Sequence, residues 1–343
     1  MYTTYNEVTY NVFRKTDKKV DKIYFSNVGD IILPTSGETP EEIATATCIM
    51  VPDVILAGDL YIFRQKQIDG RILSYIINHT VNDKISRIAQ GKSVVHVRSE
   101  ELGKIIINYP TNEEQQKIAD FLSLVDRRIE KQRQLVESLK KYKRGLFLKL
   151  YNDSDKSIIS FKNIYEMASE GGTPSTSDSE NYENGKIPFI KIDDLNQHYL
   201  NFAKYFITEK GLKKSSAWIV PENSIIYSNG ATIGACSINK IPVTTKQGIL
   251  GIVPKSNFSV EFLYFFFTSS IFKKKIRSIT TKGTMDCAYL KDINGIKISI
   301  PDFITQQKTA EIMVNFENLI ELTEFSFIYL QSIKKALLQQ MFI

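Results

Sequence analysis

The chain has 343 residues, 43% of them hydrophobic and 24% charged, and a formal net charge of +6. These proportions belong to a folded chain of about two domains and argue against a disordered, collagen-like or disulfide-built polypeptide. Cys48, Cys236 and Cys287 stand far apart, as do His79, His96 and His198, so neither a disulfide framework, a metal centre nor a His-based nucleophile system is indicated.

Taken in chain order, the opening MYTTYNEVTY is polar and lacks the basic and apolar regions of a signal peptide. Residues 1–110 then alternate strand-like runs with turn signals, as in VGDIILPTSGET and ISRIAQGKSVVHV. Within the latter, SRIAQGKS at 86–93 approaches a phosphate loop. Ser86 replaces its first glycine, however, and no clear strand feeds it, so a surface loop is the better reading.

At Pro110 the pattern changes to a helix. Thr111 with Glu114 is a capping-box signature, and an apolar seam follows at Ile118, Leu122, Val125, Ile129, Val136, Leu139, Leu146 and Leu150, interrupted by Gln132 and Lys143. The helix is expected to run roughly 38 residues, or about 57 Å.

Residues 152–301 form a second α+β module with runs GKIPFIKIDDL, ENSIIYSNGATIGACSI and IPVTTKQGILGIVP. An apolar helix over 260–276 contains the longest apolar run, Phe262 to Phe267, which is too short to cross a bilayer. ENSIIYSNGATIG answers VGDIILPTSGET, and IRSITTKGTMDCA answers ISRIAQGKSVVHV. Ile158 to Asp193 has no answering segment in the first module, which is therefore expected to be amino-terminally incomplete.

From Pro301 onward the long helix recurs 191 residues after its first copy, with Asp302 as the cap and a seam at Thr309, Met313, Phe316, Ile320, Thr323, Phe327, Leu330, Lys334, Leu337 and Met341. Thr323 and Lys334 fall where Gln132 and Lys143 interrupt the first seam, as expected of two helices built to meet in one register. The expected architecture is α+β: globular modules at 1–110 and 152–301, separated by long helices at 111–151 and 302–343 that form an antiparallel coiled coil. Lys plus Arg against Asp plus Glu gives 13 and 13 for 1–110, 10 and 6 for 111–150, 18 and 15 for 151–304, and 3 and 4 for 305–343. The first helix and the second module thus carry the mild basic character.

The motif EQQKIA-x-FLS-x₂-D-x₂-I with KRGLFLKL, its second copy QQKTAEI with ALLQQMF, and GGTPS, IPFIKIDDL and SNGATIG in the second module resemble type I restriction-modification specificity subunits. The resemblance implies a non-catalytic, cytoplasmic, DNA-binding subunit whose two target recognition domains each read half of a bipartite site on double-stranded DNA, the helices serving as spacer. Two copies of a methyltransferase subunit and a restriction subunit are the implied partners, with no membrane. No cofactor is expected on this chain; S-adenosylmethionine, ATP and Mg belong to the partners. The absence of an Asn/Asp-Pro-Pro-aromatic methyltransferase motif agrees.

Base edges are read by side chains on loops, while Lys, Arg, Ser and Thr hold phosphates. The candidate DNA contacts are Lys191, Asn229, Thr232, Lys246, Gln247, Lys282 and Thr284 in the second module and Ser36, Thr39, Arg64 and Lys92 in the first. Lys273, Lys274, Lys275 and Arg277 form a possible phosphate ridge. The competing expectation is a truncated scaffold that docks a methyltransferase subunit and reads no bipartite site.

Overall fold

A computed structural model of the chain describes residues 7–12, 15–17, 19, 25–56, 58–64, 66–91, 94–195, 197–230, 232–281 and 286–342. The first module carries β1 (Val8–Thr9), β2 (Asp30–Pro34), β3 (Ser36–Gly37), α1 (Pro40–Ile43), β4 (Thr47–Ile49), β5 (Leu60–Phe63), α2 (Gly70–His79), α3 (Asn82–Ile88), β6 (Val95–His96) and α4 (Ser99–Leu102). The long helix α5 (Asn112–Asn152) follows. The second module carries β7 (Ser157–Ser160), β8 (Tyr165–Glu170), β9 (Ile187–Ile190), β10 (Tyr199–Leu200), β11 (Phe206–Ile207), α6 (Glu209–Lys213), β12 (Ile225–Ser228), β13 (Cys236–Asn239), β14 (Thr244–Thr245) and β15 (Ile249–Pro254). It ends with α7 (Val260–Thr268), α8 (Ser270–Ile279), α9 (Leu290–Gly295) and β16 (Lys297–Ile300), before the last long helix, α10 (Phe303–Met341).

Two compact units result: Met1–Val136 with Thr323–Ile343, and Glu137–Leu322. The division falls inside both long helices rather than at 110, 151 and 301, because each half-helix buries its seam with the module of its own unit.

In the first unit the sheet order is β1-β4-β2-β5, with β1 parallel to β4 and the other pairs antiparallel. Its inner face meets α2, and Ile31, Leu33, Ile72, Tyr75 and Ile76 pack with Ala119 and Leu122 of α5 and Leu338 and Phe342 of α10. The half-helices run antiparallel: Gln132 Nε2 donates to Thr323 O at 3.1 Å, while Asp126 meets Lys334 at 2.7 Å. Lys334 Nζ also lies 2.9 Å from Glu7, whose other oxygen is 3.0 Å from His79 Nε2, and Tyr75 donates to Asp126 at 3.0 Å. Burial alone pushes the Glu7 carboxyl up, but the His79 hydrogen bond and the Lys334 charge more than reverse this and hold it at about 2. The second interruption of the α10 seam is therefore a buried ion cluster.

In the second unit the order is β10-β13-β12-β15-β8, with β10 parallel to β13 and the rest antiparallel. This repeats the first unit's sheet and adds β8. The core is aromatic: Phe161, Phe262, Phe266, Phe267 and Phe272 join Phe147 and Tyr151 of α5 and Met313 of α10. The single helix expected over 260–276 is two, because Ser269 leaves the helical conformation and caps α8 by accepting from Phe272 N. Within this unit Lys143 pairs with Glu317, so the other polar interruption is also an ion pair.

Every seam position of α5 is at least half-buried, as is every one of α10 except Met341, where Leu338 and Phe342 take over. Thr111 and Glu114 form the reciprocal cap; in the second copy Asp302 accepts from Thr305 N at 3.0 Å and from its hydroxyl at 2.7 Å. Each long helix is also pinned to its module by a buried glutamine. Gln115 donates to Pro110 O and accepts from Asp69 N, the cap of α2; Gln306 donates to Pro301 O and accepts from Ser259 N, the cap of α7.

Candidate nucleic-acid interface

In the second unit, five loops meet at one end of the sheet. The turn after β8 is bonded to β15 through Gly171 N and Ile249 O (2.9 Å), and Gly248 N donates to Glu170 Oε1 at 2.7 Å. Lys246 N reaches Ile190 O at 3.0 Å, Asn229 N and Gly230 N both donate to Gly248 O, and Ala288 N donates to Asn229 O at 2.9 Å. Loops 171–174, 191–194, 229–234, 246–248 and 287–288 thus form one bonded surface rather than independent hairpins.

Lys191, Thr232, Lys246 and Gln247 lie on that surface, the last three exposed and Lys191 half-buried. Lys191 is oriented from below: its Nζ sits 3.6 Å above the Tyr205 ring, and its backbone N–H is held by buried Asp194 at 2.9 Å. Gln247 N approaches Thr173 Oγ1 at 3.4 Å, which brings Thr173 onto the same face. A Cβ on Gly234 would lie 3.6 Å from Lys273 Cε, so the α8 ridge adjoins the 229–234 loop. Lys273, Lys274 and Arg277 are exposed and Lys275 is half-buried. Among the described residues, Lys191, Lys246 and Lys273 have no carboxylate within ion-pair distance.

Asn229 corrects the sequence expectation. It is fully buried, with its amide turned inward to Ala288 O at 3.2 Å, so it ties the loop to the 287–288 segment instead of offering an edge to a base. The first-module candidates are likewise engaged internally. Thr39 caps α1 in a capping box with Glu42, Ser36 donates to Asp59, and Arg64 is held by buried Asp30 at 3.0 Å and by Phe25 O. Lys92, Lys282 and Thr284 lie outside the described residues. The described flanks of SRIAQGKS run from helix α3 to strand β6, the reverse of the strand-then-helix order of a phosphate loop.

Thr173 and Tyr205 escaped the sequence reading; the paired glycines of GGTPS were the available signal. A Cβ on Gly171 would sit 2.0 Å from Thr245 O. Gly171→Ala is expected to push loops 171–174 and 245–248 apart at a cost of about 1–3 kcal/mol. Hydrogen exchange of the Gly248 amide is expected to accelerate in this variant; an unchanged rate together with an unchanged melting temperature would disprove the close packing. Among the described residues no group of His, Cys, Asp and Glu is arranged to hold a metal ion, and no helix is long and apolar enough to cross a membrane.

Comparison with known proteins finds the family model for the type I restriction modification DNA specificity domain matching residues 1–141 and 154–328. The chain is 34% identical over 170 residues to the type I restriction enzyme MjaIX specificity subunit of Methanocaldococcus jannaschii, an alignment covering 49% of this chain and 39% of that protein. It is 26% identical over 295 residues to the putative MjaX specificity subunit of the same organism, covering 79% of this chain and 67% of that one. The chain thus spans well under half the length of the first of these relatives in alignment. In fold it is similar to the crystal structure of a type I restriction-modification S subunit from M. genitalium, with a TM-score of 0.57 at 20% identity over 98% of this chain and 88% of that one.

Proposed function

The chain belongs to the type I restriction modification DNA specificity domain family, and on that premise we propose that it reads double-stranded DNA for a restriction-modification complex without catalysing a reaction itself. In this reading each unit contributes one half of a bipartite target. Two copies of a methyltransferase subunit dock on the chain and methylate adenine with S-adenosylmethionine. A restriction subunit brings ATP and Mg, the chain itself holds no cofactor, and the complex works in the cytoplasm. The observation that carries the reading is the second unit's bonded loop surface, where Lys191, Lys246 and Lys273 lack acidic partners among the described residues beside Gln247, Thr173 and Thr232. Cations left unpaired on one face suit a phosphate backbone, and neighbouring amide and hydroxyl groups suit base edges.

Modified-base sequencing of DNA from cells expressing this chain with its methyltransferase subunit, against cells lacking the chain, tests the reading. Methyladenine within an asymmetric bipartite motif is expected. A second reading, a scaffold that docks the methyltransferase and reads at most one half-site, is favoured by the internal engagement of Ser36, Thr39 and Arg64. A motif with a single specified half, or no new methylation despite copurification, would select it. Replacing Lys191, Lys246 and Lys273 by Gln is expected to flatten the dependence of log Kobs on log salt by about 2–3. An unaltered slope would remove this face from the interface.

A further inference from the structure

On the second unit's loop surface, Gly171, Gly172 and Pro174 are buried while Thr173 stands exposed between them. Three segments of the same unit hold this turn. Gly171 N donates to Ile249 O at 2.9 Å, and a Cβ on Gly171 would lie 2.0 Å from Thr245 O, so β15 and its leading loop fix the first residue. A Cβ on Gly172 would lie 2.4 Å from Ala217 N, so the 216–217 backbone closes on the second. The third segment is a short 3-10 turn (Ser179–Asn181) with the residue after it: Tyr182 Oη donates to Pro174 O at 2.5 Å, and the buried Asn181 donates from Nδ2 to Ser175 O at 2.9 Å.

The third segment is anchored in its turn. Thr208, the cap of α6, donates its N–H to Asn181 O at 2.9 Å and its hydroxyl to Glu180 O at 2.8 Å, while Lys210 of α6 pairs with Asp178 at 3.1 Å and with Glu180. A Cβ on Gly211 would lie 2.6 Å from Asn181 O, so α6 meets this segment backbone to backbone. Ordering a surface turn costs about 1–2 kcal/mol per residue in backbone entropy, yet the side chain at its centre adds nothing to the core. Thr173 Oγ1 is approached by Gln247 N at 3.4 Å, and with that oxygen accepting, the hydroxyl proton is left to donate outward.

We propose that Thr173 is a specificity-determining residue whose hydroxyl donates to an acceptor on a base edge of the duplex, and that Tyr182 and Asn181 are positioning residues that fix where this hydroxyl stands; the assignment rests on the reading of this loop surface as a DNA interface. A single hydroxyl discriminates only if its place is fixed, because a turn free to shift reaches acceptors on neighbouring bases as well. The bonds to the carbonyls of Pro174 and Ser175 supply that fixity directly after Thr173 in sequence, and the contacts at Gly171 and Gly172 supply it directly before.

The test is modified-base sequencing of DNA from cells expressing the methyltransferase subunit with the full chain or its variants, joined to methyl relaxation of the purified threonine-labelled chains. Thr173→Val keeps the shape and removes the donor. One base of the half-site read by the second unit is expected to become degenerate, sites with another base there gaining at least about fivefold in methylated fraction. Thr173→Ser, which returns the hydroxyl, is expected to narrow the choice again. Tyr182→Phe removes only the bond to Pro174 O; it is expected to lower the order parameter of the Thr173 methyl, leave that of Thr268 unchanged, and relax the same base. Should Thr173→Val fold poorly, Thr173→Ala at this exposed position carries the same test. An unchanged motif from a variant that melts like the parent would overturn the role of Thr173, as would a uniform loss of methylation with no base relaxed. An unchanged order parameter in Tyr182→Phe would overturn the role of Tyr182. A parent chain that directs no methylated motif would refute the DNA reading and the role of Thr173 with it, while the order parameter still decides whether Tyr182 holds the turn.

Discussion

Lys334→Met is expected to destabilise the first unit by about 3–5 kcal/mol, the cost of leaving two largely desolvated, half-buried carboxylates without their buried cation. The substitution keeps the aliphatic stem and removes only the charge that Glu7 and Asp126 share at 2.9 and 2.7 Å. Urea unfolding followed by hydrogen exchange, which separates the two units, measures it. A loss below about 1 kcal/mol would mean that the ion cluster contributes little beyond its own desolvation. The penalty is expected to depend on pH in one direction. The folded-state pKa of Glu7 is lowered from 4.5 to about 2, so its contribution is fully present above pH 4.5 and is lost as pH falls toward 2. The difference between the variant and the parent is therefore expected to narrow over that window, as protonation removes the anion that lacks a partner.

Phe161→Ala is expected to cost the second unit about 3–5 kcal/mol, as for other large aromatic side chains deleted from a packed core. The ring meets Phe267, Phe272 and Tyr165, and the backbone N–H beneath it is bonded to Ile296 O at 2.9 Å, so the surroundings have little freedom to collapse into the space. Denaturation is expected to shift the transition of the second unit alone. A shift below about 1 kcal/mol, or one shared by the first unit, would contradict the assignment of this ring to a local core.

The long helices were legible because periodicity survives in a single sequence: burial every third and fourth residue needs no knowledge of the partner. Their polar interruptions were legible as positions but not as chemistry. Lys334 meets Glu7 across 327 residues of sequence, and no local pattern announces such a partner. The glutamine pins were illegible for a related reason, since a glutamine in the first turn of a helix reads as solvated until the preceding proline and the cap of another helix are found beside it. Asn229 misled because Asn-Gly is a surface-turn signal; here the 287–288 segment covers the turn and converts the amide into a tie. Thr39 is a candidate contact by its correspondence with the second module, although the Glu three residues later marks it equally as a helix cap. His198, solitary in the sequence, lies between the rings of Tyr199 and Tyr264 at 4.0 Å from each, and burial lowers its pKa to about 4.

The ion cluster also imposes an order of events on a growing chain. The second unit is continuous in sequence and has all its residues once position 322 has been made. The first unit begins before the second in sequence yet needs Lys334, Leu338 and Phe342 from beyond it. During synthesis Glu7 and Asp126 therefore stay hydrated, because the cation that makes their burial tolerable is made only after the whole of the second unit. Of the two units, the one whose translation begins first is the one that closes last, and any nascent chain stalled before position 334 carries a finished second unit and an open first one.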